Sequence, residues 1–329
     1  MKRKITRFAL AGLISLATIG LAQAADDTKT ITNPKEAGVD YQIQGEYLGK
    51  INIHEQQVPF GAQVIALGGD KFRGIGYPGG LPGAGWSRGM ESHTAEGELK
   101  DGVVAMEGDQ AKITIEEGVI SIFAPSGDKI GTLKKVTRKS PTLGAKPPAG
   151  AKVLFDGTNA DAWENGKIVQ ENLLLADTYT KDKLGDHTLH LEFRTPYKPD
   201  ARGQARGNSG VYMQGRYELQ VLDSFGLEGE NNECGGIYKI AKPIVNMCFP
   251  PLTWQTYDID FTAAKYDAEG NKTENARATV KHNGVVIHED LELPLHTPGR
   301  EKEADSPAAL YLQGHGNPVV YRNIWITEG

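Results

Sequence analysis

At 329 residues with a net charge of −6, the chain is long enough for two ordinary domains and too acidic to coat a phosphate backbone. Its basic residues form no stripe: Lys134, Lys135, Arg138 and Lys139 are scattered and read as a solvated linker face, which excludes nucleic acid as a partner. Forty glycines, seventeen prolines and many short β-branched or aromatic runs, without sustained 3.6-residue periodicity, indicate an all-β protein with frequent turns.

The first 24 residues carry Lys2, Arg3, Lys4 and Arg7, an apolar run over 8–21, and the small-x-small sequence Ala22-Gln23-Ala24. This is the pattern of a secretory signal peptide. The apolar run is short for a lasting anchor, and no Cys follows it to take a lipid. A soluble periplasmic or secreted chain beginning near Ala25, with no membrane span left, is the expectation. Its net charge would be −10, because the lost segment holds four basic residues and no acidic one.

Residues 25–144 read as a small antiparallel β domain, with strands predicted over 41–47, 63–67, 71–77, 112–115 and 119–123 and a turn at Glu117-Gly118. The glycine-rich stretch from Gly79 to Trp86 precedes no helix and lacks a Lys-Ser/Thr pair, so it reads as a plain loop rather than a phosphate cradle. Residues 145–151, with Pro147-Pro148, read as a stiff linker to a larger module over 152–329.

In that module strands are predicted over 188–194, 210–214, 217–222, 256–262, 276–282, 285–290, 309–313 and 323–327, enough for a sandwich. Asn283-Gly284 between apolar runs is a type I′ hairpin signal, and the flanking His282 and His288 are expected to be solvated. Cys234 and Cys248 bracket one loop, and in an exported chain this suggests a disulfide. Closing such a loop would stabilise by roughly 3 kcal/mol in the chain-entropy view.

Alternation divides the strands into faces. Leu189, Leu191 and Phe193 are apolar, leaving His190, Glu192 and Arg194 opposite. Tyr217, Leu219 and Val221 leave Glu218 and Gln220 opposite, and Val211 and Met213 leave Tyr212 and Gln214. If the apolar sets fill the space between sheets, the polar sets share a wet outer face suited to a sugar, or to plain cross-strand ion pairing.

Several segments, in order, carry a resemblance: Leu154-Phe155-Asp156-Gly157-Thr158 with Trp163, Gly207-Asn208-Ser209-Gly210-Val211-Tyr212, Tyr217 to Asp223, and Trp254-Gln255-Thr256-Tyr257-Asp258. His282-Asn283-Gly284 and Leu312-Gln313-Gly314-His315-Gly316-Asn317-Pro318 follow, leading into Arg322-Asn323-Ile324-Trp325. Together they resemble the 3-keto-disaccharide hydrolase family across residues 152–329. The resemblance implies a concanavalin-like jelly-roll β-sandwich whose concave face binds carbohydrate.

The family name implies distinctive chemistry. A ketone at C3 acidifies the C2 proton, a base removes it, the C1 oxygen leaves by elimination, and water adds to complete hydrolysis. Glu218 is the first candidate for the base, Glu192 the second and His190 the third. His315, in a glycine-flanked turn, is a candidate for substrate contact or acid transfer, or for holding its own turn. His190, Arg194, Asn208, Tyr212, Gln214, Gln220 and Gln313 are candidate sugar contacts. A divalent metal stays open, with Asp223 and His190 as candidate ligands, although no short-spaced ligand motif occurs and Asp223 equally suits a turn cap. Ordinary glycoside hydrolysis would need two carboxylates. A Glu-x-Asp-x-x-Glu strand, associated with laminarinase-like glucanases, is absent because residue 220 is Gln. A non-catalytic carbohydrate-binding protein on the same fold is the alternative reading. Oligomeric state and sugar identity are not encoded in these patterns.

Overall fold

The computed structural model describes residues 29–328, so the proposed signal peptide lies outside the described residues. The chain is nearly all β. Eight antiparallel strands, Gly45–Ile53, Gln56–Ala66, Lys71–Pro78, His93–Lys100, Val103–Gly108, Lys112–Glu116, Val119–Phe123 and Lys129–Val136, pair in chain order. The last strand then pairs with the first, which closes a barrel and leaves no free edge. The strand predicted over 41–47 begins only at Gly45, because Val39–Ile43 forms a helical turn and Gly45 adopts a φ of 143°.

The C-terminal region is a two-sheet sandwich. Its larger sheet runs Ile168–Val169, Leu173–Leu175, Val320–Glu328, His187–Arg194, Gln255–Thr262, Ala276–His282, Val285–Leu293, with Lys152–Phe155 also on Val320–Glu328. The smaller sheet runs Trp163–Glu164, Thr178–Thr180, Tyr311–Leu312, Ser209–Met213, Tyr217–Val221. Leu189, Leu191, Phe193, Tyr257 and Ile259 of the first sheet meet Val211, Met213, Leu219, Val221 and Leu312 of the second in one buried core. Asn283 and Gly284 make the expected hairpin, with φ of 51° and 80°. This is the jelly-roll-type sandwich that the resemblance implied.

One end of the barrel is seated on the sandwich. Tyr197 and Leu252 enter the barrel's core cluster, and Tyr197 and Ile31 exchange backbone hydrogen bonds of 2.8 and 3.0 Å. Arg138 pairs with buried Glu46 and donates to the Pro82 carbonyl. The glycine-rich loop after the third barrel strand is a clamp: Arg88 donates to the carbonyls of Glu228 (2.8 Å), Gly229 (2.7 Å), Pro243 (3.1 Å) and Ile244 (3.4 Å). The stretch 146–150 is exposed, whereas the residues just before it lie on the larger sheet. There Thr142 bonds Thr256 and Asp258, and the Gly144 amide bonds Glu192.

The expected disulfide is corrected. Cys234 and Cys248 are free, buried thiols. Cys234 Sγ is bonded with the Tyr257 hydroxyl at 3.3 Å, and Cys248 Sγ donates to the Leu222 carbonyl at 3.4 Å. Burial raises the Cys248 thiol above its ordinary range, which keeps it protonated. His282 and His288 are also buried rather than solvated. Nε2 of His282 pairs with Gln255, and Nε2 of His288 with the Gly235 carbonyl at 2.7 Å. Desolvation lowers His282 to about 3, so it is neutral in the core.

Candidate active site

The smaller sheet turns its outer face toward a cavity of about 480 Å³. Glu218 sits in its wall on the edge strand Tyr217–Val221. That edge is sealed: Tyr238 N donates to the Glu218 carbonyl at 3.1 Å, Gln220 N to the Gly236 carbonyl at 2.9 Å, and Thr297 Oγ1 accepts from Glu218 N at 2.9 Å. Directly across the ladder from Glu218 is Tyr212. The Tyr212 hydroxyl donates to the Glu218 carboxylate and accepts from Gln313 Nε2 at 3.2 Å.

Glu218 is only 3% exposed. Burial pushes its carboxyl up to about 7, with the Tyr212 hydrogen bond pulling modestly the other way. Gly210 makes room for it: a Cβ there would lie 2.6 Å from Glu218 Oε1. Three amide oxygens of the same region, Asn208 Oδ1, Gln220 Oε1 and Gln313 Oε1, are buried without a protein partner. Unpaired acceptors of this kind can take donors from water or from a hydroxylated ligand. Around the rim stand His315, Tyr238, Asn232 and Arg300, the last 3.6 Å above the Tyr311 ring.

The structure thus brings Glu218, Tyr212, Asn208, Gln220, Gln313 and His315 together. It places the other candidates elsewhere, and the expectation of one shared polar face is corrected. His190, Glu192 and Arg194 lie on the outer face of the larger sheet, with the core between them and Glu218. Alternation separates inside from outside but does not say which of two sheets a strand joins.

On that far side His190 Nδ1 bonds Asp258 at 2.6 Å and the ring stacks on Trp325. Glu192 binds Arg322 Nε at 2.6 Å, Gly144 N at 2.6 Å and Asn323 Nδ2 at 3.0 Å. Although burial opposes ionisation, the neighbouring His190 ring first and then these bonds hold Glu192 down at about 2. Arg194 donates to Gln170 and lies over Trp254. Gln214 is in a turn, bonded to the Leu184 carbonyl and Arg216.

Asp223 is buried in an ion pair with Arg206 at 2.6 Å, which leaves it unsuited to a metal. Among the described residues no three His, Cys, Asp or Glu side chains converge as metal ligands, and within the cavity only Glu218 and His315 are of those types. This donor set does not form a chelate.

Tyr311, Arg300, Tyr238, Asn232 and Gln204 line the cavity without having been singled out in the sequence. The alternation of Leu310, Tyr311, Leu312 and Gln313 carries the signal for Tyr311, since the leucines are core. The others lie in loops with no periodicity.

A buried carboxyl tuned toward neutrality, ringed by amide acceptors on a sandwich face, is an arrangement of the kind found in enzyme sites. Residues 150–327 match the family described as the 3-keto-alpha-glucoside-1,2-lyase-like domain. The chain belongs to that family. A solved structure from Parabacteroides distasonis, described as a "putative glycosyl hydrolase", is 32% identical, with a TM-score of 0.50 over 55% of this chain and 84% of that one. A second so described from the same organism is 16% identical, with a TM-score of 0.40 over 55% and 94%. Among curated proteins none matches significantly.

Proposed function

We propose that this protein is an exported enzyme that cleaves 3-keto-glycosides, with Glu218 as the base. The observation that carries the reading is that Glu218 is the one carboxylate among the residues lining the cavity, and burial brings it to about 7. Hydrolysis by paired carboxylates needs a second acid across the scissile bond. Elimination needs one base near neutrality together with hydrogen-bond donors.

In the proposed reaction Glu218 takes the C2 proton, and the electron pair moves into the C1–C2 bond as the C1–O bond breaks. The departing alkoxide gains a proton, for which His315 in the lining is the candidate donor, and water adds back to the enone to release a 3-keto-sugar. Arg300, the one Lys or Arg among the lining residues, is assigned to favour negative charge developing on the ketone oxygen. Asn208, Gln220 and Gln313 accept from sugar hydroxyls.

The test is release of the 3-keto-sugar from a 3-keto-glucoside, comparing the wild type with Glu218→Gln. Loss of turnover with retained binding supports the reading. Binding without turnover by the wild type across several keto-glycosides would instead make this a carbohydrate-binding protein.

A further inference from the structure

The barrel is packed at one end and hollow at the other. Tyr47, Ala66, Phe72 and Val104, at the end seated on the sandwich, have no exposure. Ile51, Phe60, Ala62, Ala95 and Ile122, toward the opposite end, each retain 7–8%. Between them lies a cavity of about 530 Å³ whose floor is Val64, Ile115, Ile120 and Leu133, and whose lining comes wholly from residues 51–133. No part of the sandwich lines it.

Native interiors hold few voids larger than a water molecule, so a space of this size is built rather than left over. Water does not suit it. A buried water needs two to four polar partners, yet the floor is aliphatic and the closed ladder consumes the backbone groups of the wall. Its polar lining, Asn52, Ser92, His93, Thr94, Asp109 and Gln110, is gathered at the mouth, and no Lys or Arg lines the cavity.

We infer that the barrel is a second binding site, independent of the sandwich, for a neutral amphiphile: an apolar chain or ring system carrying one hydroxyl or carbonyl head. A dry cavity of about 150 Å³ takes one benzene ring, and on that scale this one has room for on the order of twenty non-hydrogen atoms. The body lies against Val64, Ile115, Ile120 and Leu133, and the head meets Asn52, Gln110 or His93. With Asp109 and no Lys or Arg in the lining, a carboxylate head is disfavoured.

The full-length mature chain is titrated with N-phenyl-1-naphthylamine, a neutral fluorescent probe of fitting size, and the probe is displaced with 1-decanol or decanoate. Saturable uptake of one probe per chain, displaced by decanol at least about tenfold more readily than by decanoate, is expected. Ala95→Phe and, separately, Ala62→Leu fill the lumen and should abolish uptake while leaving the melting temperature equal or higher. The melting curve identifies a variant that fails to fold, and the other variant then decides. Absence of saturable uptake by the wild type, or uptake unchanged in a folded, filled variant, would overturn the inference. Preference for decanoate would overturn the neutral-head assignment.

Discussion

The hydroxyl of Tyr212 and the carboxylate of Glu218 face each other across adjacent antiparallel strands and are hydrogen bonded, in a wall that water scarcely reaches. Burial raises the Glu218 pKa and the phenol lowers it. If the ionised carboxylate is the base, kcat/KM rises about tenfold per pH unit up to about 7 and is level above it. In Tyr212→Phe the acid limb moves to higher pH. A pH profile of both proteins checks this, and an unmoved limb would sever Glu218 from the titration.

The same raised pKa makes ionised Glu218 a cost to folding. Its folded value of about 7 lies above the usual 4.5, so the native state holds the extra proton between these limits. The stability this lends is complete below about 4.5 and is lost as the pH rises through about 7. Glu218→Gln therefore melts higher than the wild type at pH 8, by up to on the order of 3 kcal/mol, with the difference fading toward pH 4. It should also lose about 10²–10⁴-fold in turnover. Calorimetry at the two pH values, beside the activity assay, separates the two effects.

Gly210→Ala sets a methyl group against Glu218 Oε1. The carboxylate must swing away, and a displacement near 1 Å can cost about 10²-fold in rate. Turnover should drop by about that factor while the circular dichroism spectrum is retained.

Glu192 responds to pH in the opposite sense. Its folded pKa is depressed to about 2, so the stability it contributes is present above about 4.5 and is lost as the pH falls toward 2. Glu192→Gln should destabilise at neutral pH by about 1–3 kcal/mol, flatten the acid limb of the stability curve and leave kcat/KM unchanged. A comparable loss of activity in the folded variant would place Glu192 in the chemistry after all.

Much of the fold was legible in the sequence. Strands such as Ala276–His282 and Val119–Phe123 alternate cleanly or carry β-branched runs, and Asn283-Gly284 marks its hairpin. The barrel strands His93–Lys100, Val103–Gly108 and Lys129–Val136 were missed. They show solvent on one side and small or interrupted apolar sets on the other, so their pattern is weak until the barrel closes. At the candidate site, Glu218, Tyr212, Gln220 and Gln313 follow from alternation within strands that also carry core residues. Separating them from His190 and Glu192 required sheet membership, which depends on long-range pairing. Arg300 and Tyr238 enter from loops, which have no period to read.

Arg88 belongs to the barrel loop, yet all four carbonyls it grips lie in the sandwich, on the two flanks of the segment that carries Asn232 and Tyr238 to the cavity. Arg88→Ala should therefore raise KM several-fold with a smaller effect on kcat, which steady-state kinetics would show.

The boundary at residue 150 thus marks where family likeness begins, not where the cavity's mechanical support begins. A chain cut there would keep every residue that lines the cavity while losing the guanidinium that holds one wall upright. Ancestry and load path divide this molecule at different places.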